Sequence, residues 1–252
     1  MFDAVAIVKS LSLTPLNIAI VGLPGAGKSR VLASLSQHSL TTRPGQSCEI
    51  NVFLPDLDSA MTAQIWQVWC VVDVRKPLLT GRDVYVEQAL HDLLRQAHGV
   101  VLTFLEQADL TQQAWWNHWL KHHYPHLPVV RWLNQQFTPQ WPGFELDAVN
   151  SVINVPLPGA WQRFEFDLGR VCLDHLLMGL DASKSNLDMA IWRVHGVLNT
   201  LEYQNAVAVE GTPTLLQSFA AEANLAYAPG QLVIEGFHLD QAWLTQIVMA
   251  AT

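Results

Sequence analysis

Apolar positions along this chain follow two periods. Residues 17–21 (Asn-Ile-Ala-Ile-Val) form a short β-branched run, which predicts a strand. A glycine-rich stretch follows, and then residues 29–36 place Val31, Leu32 and Leu35 at helical spacing. Further short apolar runs at 50–54, 68–74, 100–105 and 129–133 predict strands, and amphipathic stretches at 85–96 and 111–123 predict helices between them. Strands alternating with helices predict an α/β fold, with a mainly parallel sheet flanked by helices.

Residues 137–160 break this pattern. Pro139, Pro142, Pro156 and Pro158 with Gly143 and Gly159 are a loop or linker composition. The expected division is therefore an α/β domain over 1–145, a linker with a connecting helix over 146–183, and a small α+β domain over 184–252. The helix is expected at 168–180. The last unit would be built from short segments at 190–197, 206–210, 215–223 and 231–236, and a terminal amphipathic helix from Asp240.

Composition narrows the function classes. Of 252 residues, 50% are hydrophobic and 14% charged, so the chain has ample material for a core and is not of disordered type. The net charge is −8, and Lys and Arg are nowhere clustered, which argues against a nucleic-acid partner. No apolar run reaches the roughly 18 residues needed to cross a bilayer, and the first residues lack a basic leader, so the expectation is a cytoplasmic chain without a membrane partner. Cys48, Cys70 and Cys172 form no C-x-x-C pair and read as ordinary thiols, and the ten tryptophans read as core and interface packing.

The strongest chemical signal is Gly22-Leu23-Pro24-Gly25-Ala26-Gly27-Lys28-Ser29, which completes the pattern G-x-x-x-x-G-K-[ST] between a predicted strand and a predicted helix. The glycines let backbone N–H groups converge on a phosphate chain without obstruction by Cβ atoms. Lys28 reaches the β- and γ-phosphates, the Ser29 hydroxyl is placed for Mg²⁺, and the helix contributes its positive end. Gly22, Pro24, Gly25, Ala26, Gly27, Lys28, Ser29 and Arg30 are thus the expected nucleotide contacts, with GTP or ATP and Mg²⁺ as cofactors. A chance match in a chain of this length is on the order of 1 in 100 before the flanking elements are required. Hydrolysis also needs a carboxylate at a neighbouring strand end to hold the metal. Asp56, after the run at 50–54, and Asp73, ending 68–73, are the candidates. Asp56 is preferred because its loop could act as a switch, so Lys28 and Asp56 are the expected catalytic pair and Ser29, Asp56 and Asp73 the expected metal ligands.

Several stretches together resemble the CobW-like family of P-loop GTPases, whose members are metallochaperones or metal-insertion proteins. Residues 23–29 resemble that family's LGAGKTT, Val71-Val72-Asp73-Val74 its VVDA strand, and Gln88 followed by Gln96-Ala97-His98-Gly99-Val100-Val101-Leu102 its glutamine and ADxIllN segment. Glu106-Gln107-Ala108-Asp109-Leu110 stands in the place of NKxDL, Trp192-Arg193-Val194-His195-Gly196 in that of RxKG, and residues 231–236 in that of a late strand. The resemblance implies a P-loop fold with a small C-terminal domain, GTP binding with slow hydrolysis, Asp109 as the base-reading carboxylate, and a client protein among the partners. The family's GCxCC metal motif and its ETxGL segment have no counterpart here. Glu106 replaces an amide donor by an acceptor, and Gln107 replaces a cationic stem, which reduces the expected preference for guanine.

Two other readings stand beside this one. A non-catalytic, nucleotide-binding interaction or regulatory protein would explain the missing motifs, and an ATP-dependent small-molecule kinase shares the same loop. His118 and His122, four residues apart on a predicted helix with His123 and His126 close behind, could present two imidazoles to a metal, although no third ligand is set by the spacing. No nucleophile elbow is present.

Overall fold

The computed structural model describes residues 17–37, 47–49, 66–134, 136–137, 159–186, 189–221 and 228–252. The first unit begins with strand β1 (Asn17–Gly22), the glycine loop and helix α1 (Lys28–Gln37). It continues with β2 (Ser47–Glu49), β3 (Trp66–Asp73), α2 (Val84–Gln96), β4 (Gly99–Thr103), α3 (Leu110–His123), β5 (Val129–Leu133) and β6 (Gln136–Phe137). Its sheet runs β2-β1-β3-β4-β5-β6, with every pairing parallel except that of β5 with β6. The parallel strands are continuous apolar runs because helices cover both faces of such a sheet. All five residues of β4 are buried, whereas β5 alternates exposed and buried. The predicted strand at 50–54 lies outside the described residues.

The second unit is an antiparallel sheet in the order β11-β10-β9-β12-β7, formed by β7 (Gln162–Asp167), β9 (Ala190–Thr200), β10 (Val207–Gly211), β11 (Leu216–Ala220) and β12 (Gln231–Phe237). A short β8 (Arg170–Val171) pairs with β9, and helices α4 (Leu173–Asn186) and α5 (Gln241–Ala251) pack on each other. The fold class is thus the expected one: a P-loop type α/β unit, with a mainly parallel helix-flanked sheet, followed by a smaller α+β unit.

Of the expected connecting segment 146–183, residues 146–158 lie outside the described residues. Strand β7 pairs with β12 from Gln162↔Gly236 to Asp167↔Gln231, so residues 162–186 belong to the second unit. The period-2 alternation of Gln162-Arg163-Phe164-Glu165-Phe166-Asp167 carries that information, with Phe164 and Phe166 packed on the second core. The helix expected at 168–180 starts five residues later, after β8.

Among the described residues, three apolar clusters hold these layers. One lies between the first sheet and α1 and includes Ile18, Ile20, Val31, Leu35, Trp69 and Trp132. Trp132 also donates its indole N–H to Ser34 Oγ at 3.1 Å. The second lies beneath α4 and α5. The third lies on the α2 and α3 side of the first sheet and takes in Ala190, Trp192 and Phe237 from the second unit. The two units therefore share a core.

Candidate functional site

The chain leaves β1 through Gly22 and enters α1 at Lys28, as the pattern of the loop predicts. Gly25 and Gly27 adopt φ of +75° and +88°, conformations that side-chain-bearing residues rarely take. The Gly27 carbonyl accepts from the N–H groups of Arg30 and Val31, both at 3.1 Å, which starts the helix directly at the loop. No acidic residue lies in the first turn of α1, so its positive end is not neutralised by a side chain of its own first turn. The Lys28 ammonium is 5% exposed and donates to the carbonyls of Gly22 (3.2 Å) and Leu23 (3.1 Å). Its charge is therefore held inside the curve of the loop. Ser29 and Arg30 are exposed at the start of the helix. Burial pushes the Cys70 thiol up to about 12, with nearby Lys28 pulling slightly the other way, so this cysteine is a neutral packing group.

Thr103, fully buried at the end of β4, donates its hydroxyl to the Ala26 carbonyl at 2.7 Å, with the Val72 carbonyl at 3.1 Å. One side chain thus ties the loop to β3 and β4. The next residue, Phe104, lies in the left-handed region at φ 59°, and a Cβ on Gly27 would stand 3.2 Å from its ring. The Arg75 guanidinium covers that ring at 3.9 Å from the centroid, and that of Arg30 lies 4.8 Å away.

Asp73 ends β3 beside the loop, but its carboxylate is engaged by Arg75. Nε donates at 3.0 and 3.1 Å and Nη2 at 2.7 Å, and the Arg75 backbone N–H adds a bond at 2.9 Å. A metal at Asp73 would have to displace this bidentate pair, and in this structure Asp73 anchors Arg75. Asp56, the other expected metal ligand and catalytic carboxylate, lies outside the described residues.

Asp109 caps α3. Its Oδ1 accepts from the Gln112 N–H at 2.8 Å, while Gln112 Oε1 accepts from the Asp109 N–H at 2.8 Å, a reciprocal capping box. The preceding residues Leu105–Gln107 form a single tight helical turn, and the Gln107 side-chain oxygen accepts from Arg75 at 3.4 Å.

The sequence reading had no signal for the element facing the tip of the loop. The turn between β10 and β11 sets the Thr212 methyl against Gly25, where an added Cβ would lie only 2.3 Å from it. Leu23, Pro24 and Ala26 of the loop and Thr212, Pro213 and Thr214 of the turn line one small cavity of about 20 Å³, room for a single water. The buried Lys184 of α4 donates to the carbonyls of Thr212 and Pro213, both at 3.1 Å. Burial, reinforced by Arg82 and opposed by Asp181 and Asp83, lowers its pKa from 10.5 to about 8.

The unfolded chain therefore holds this proton over the window from about 8 to 10.5 in which the folded chain has released it, and the residue's contribution to stability rises with pH there. Urea unfolding on either side of that window is expected to show the wild type gaining on a Lys184→Met variant as pH rises. A constant difference between the two would refute the assignment.

On α3, His118 and His122 stack at 6.3 Å between ring centroids, and His122 and His123 meet edge-to-face at 4.8 Å. Among the described residues no group of three or more His, Cys, Asp or Glu is arranged to hold a metal ion. Trp115, Trp116 and Trp119 pack against one another and His91 beside them, as the packing reading expected. Among the described residues no helix is long and apolar enough to cross a membrane.

Fold and loop together define the class: an α/β unit of P-loop type carrying a smaller antiparallel unit. No family model matches the chain, and no curated protein is similar to it in sequence at significance. Among solved structures, it is similar to the Zn(II)-bound YjiA GTPase from E. coli, at 12% identity and a TM-score of 0.33, over 95% of this chain and 100% of that one. A triple mutant of the same GTPase with Zn(II) bound is similar at 11% identity and a TM-score of 0.33, over 94% and 90% of the two chains.

Proposed function

We propose that this protein binds a Mg²⁺–purine nucleoside triphosphate, with GTP preferred, and hydrolyses it slowly. The observation that carries this reading is the loop itself: a glycine turn in left-handed conformations, an inward-held lysine ammonium and an open helix N-terminus in one place. These groups fit a polyphosphate in charge and in donor set. Loop N–H groups and Lys28 would hold the phosphates, and the Ser29 hydroxyl would hold Mg²⁺, which supplies charge neutralisation at the β- and γ-oxygens. Asp56 is the carboxylate assigned to the metal and to water activation, since Asp73 is committed to Arg75. Calorimetric titration with Mg-GTP and Mg-ATP is the direct test, and no heat from either at millimolar concentration would sink the proposal.

Asp109 is assigned to the base, and its cap role sets the design of the test. Asparagine caps a helix as well as aspartate does, so Asp109→Asn keeps the bond from Gln112 but replaces a carboxylate acceptor by an amide. The variant is expected to melt as the wild type does, and to lose roughly tenfold in GTP affinity while ATP affinity stays level. Equal GTP binding by both proteins would remove Asp109 from base recognition.

A metallochaperone-type role toward a client protein belongs to this first reading. A second reading is favoured by the Asp73–Arg75 pair: a non-catalytic nucleotide-binding interaction or regulatory protein that has lost metal transfer. Multiple-turnover phosphate release would decide against it.

A further inference from the structure

Resting on the nucleotide reading above, we propose that the Thr212–Leu215 turn braces the phosphate loop, and that it couples nucleotide occupancy of that loop to the second sheet. Three separate points of attachment support it. At the loop tip, the Thr212 methyl abuts Gly25, one of the two glycines whose backbone conformation shapes the phosphate cradle. Behind the turn, Lys184 grips the Thr212 and Pro213 carbonyls, while Arg82 reaches the Thr214 carbonyl at 3.5 Å and Asp181 of α4 at 3.3 Å. At the side, Arg75 spans from Asp73 at the end of β3 to Gln217 of β11 at 3.2 Å.

The turn itself is a stiff object. Its Thr212 N–H donates to the Leu215 carbonyl at 2.7 Å, and the Leu215 N–H donates to Thr212 Oγ1 at 3.1 Å. It closes the hairpin of β10 and β11, whose five-residue register holds it to β9 and the rest of the sheet. Lys184 is the strongest link, because an ammonium buried against two carbonyls has no water to exchange them for. The loop tip therefore rests on an element fixed by the second unit. A phosphate chain needs the loop N–H groups held in their converging arrangement, and a preformed cradle binds better because less ordering remains to be done on binding. Linkage makes the effect reciprocal: if the braced turn favours the nucleotide-competent loop, nucleotide favours the braced turn to the same degree.

Two variants and one exchange measurement test this. Lys184→Met removes the grip, while Thr212→Ser removes only the methyl against Gly25 and keeps the hydroxyl that closes the turn. Both are first checked for a cooperative melt. Lys184→Met is expected to weaken Mg-GTP and Mg-ATP binding by about tenfold, and Thr212→Ser by about two- to threefold, in line with ordinary coupling energies. In the wild-type protein, hydrogen exchange of residues 212–217 is expected to slow when nucleotide is added, and to slow less in Lys184→Met. If nucleotide binds all three proteins equally and exchange in the turn does not change, the brace is overturned while nucleotide binding stands. Tighter binding by Lys184→Met also overturns it, because the turn would then be an obstruction. If none of the three binds nucleotide, the functional reading fails and the brace with it.

Discussion

Lys28→Ala is expected to reduce Mg-nucleotide binding by at least a hundredfold, below what calorimetry detects at ordinary protein concentrations. Among the described residues, the ammonium is the cation whose position inside the loop is set by the loop's own carbonyls, those of Gly22 and Leu23. Hydrogen bonds to charged groups contribute about 1.5–3 kcal/mol each, and a β,γ-phosphate pair offers more than one acceptor, so loss of Lys28 removes roughly 3 kcal/mol or more of binding. The substitution also leaves the two carbonyls without their lysine donor, at a cost to the fold of about 1–3 kcal/mol. The variant should therefore melt somewhat lower while its circular dichroism spectrum is preserved. Binding of Mg-GTP by Lys28→Ala at the wild-type affinity would show that the loop is not the nucleotide site.

The largest effect on stability is expected at Trp192. This fully buried side chain leaves β9 of the second unit and packs edge-to-face on Phe237 at 5.5 Å, and Trp161 also meets Phe237 edge-to-face at 5.1 Å. It belongs to the same cluster as Val72, Val74, Leu78 and Leu90 of the first unit. Trp192→Ala removes a large ring from a core that both units build, for which a loss of about 3–5 kcal/mol is expected. Because the core is shared, both units should be weakened together. Urea unfolding followed by far-ultraviolet dichroism and by tryptophan fluorescence is expected to give coincident transitions in the wild type and a much lower midpoint in the variant. A loss below 1 kcal/mol, or a second unit that unfolds alone while the first is unaffected, would contradict the shared core.

Much of the first unit is legible in the residues themselves. The strand at 129–133 is placed as its apolar pattern predicts, and α2 and α3 each begin one residue before their predicted starts. Such elements are set by side-chain periods of 2 and 3.6, which are properties of a short window of chain. The second unit was read less well. Strand β7 has a clear alternation, but it follows a proline-rich stretch, and its partner β12 lies about seventy residues away in sequence. Pairing at that distance leaves no mark in the local window.

The same division runs through the site. The eight residues from Gly22 to Ser29 determine their own conformation, because glycine backbone freedom and the start of a helix are local matters, and the structure forms the loop that their pattern predicts. What surrounds that loop is decided by packing. Asp73 looked like a metal carboxylate from its place at a strand end, but the turn of chain beyond it brings Arg75 back onto both of its oxygens. Asp109 looked like a base reader, and it is also the cap that α3 requires. Arg75 meets Gln217 across 142 residues of sequence, and Thr212, held by Lys184, meets the loop only because the two sheets share one core. Contacts of this kind depend on how whole layers settle on each other to bury apolar surface, a sum over the molecule that no single segment contains. The glycine loop was thus written in the sequence, and the turn packed against it was decided by the tertiary fold.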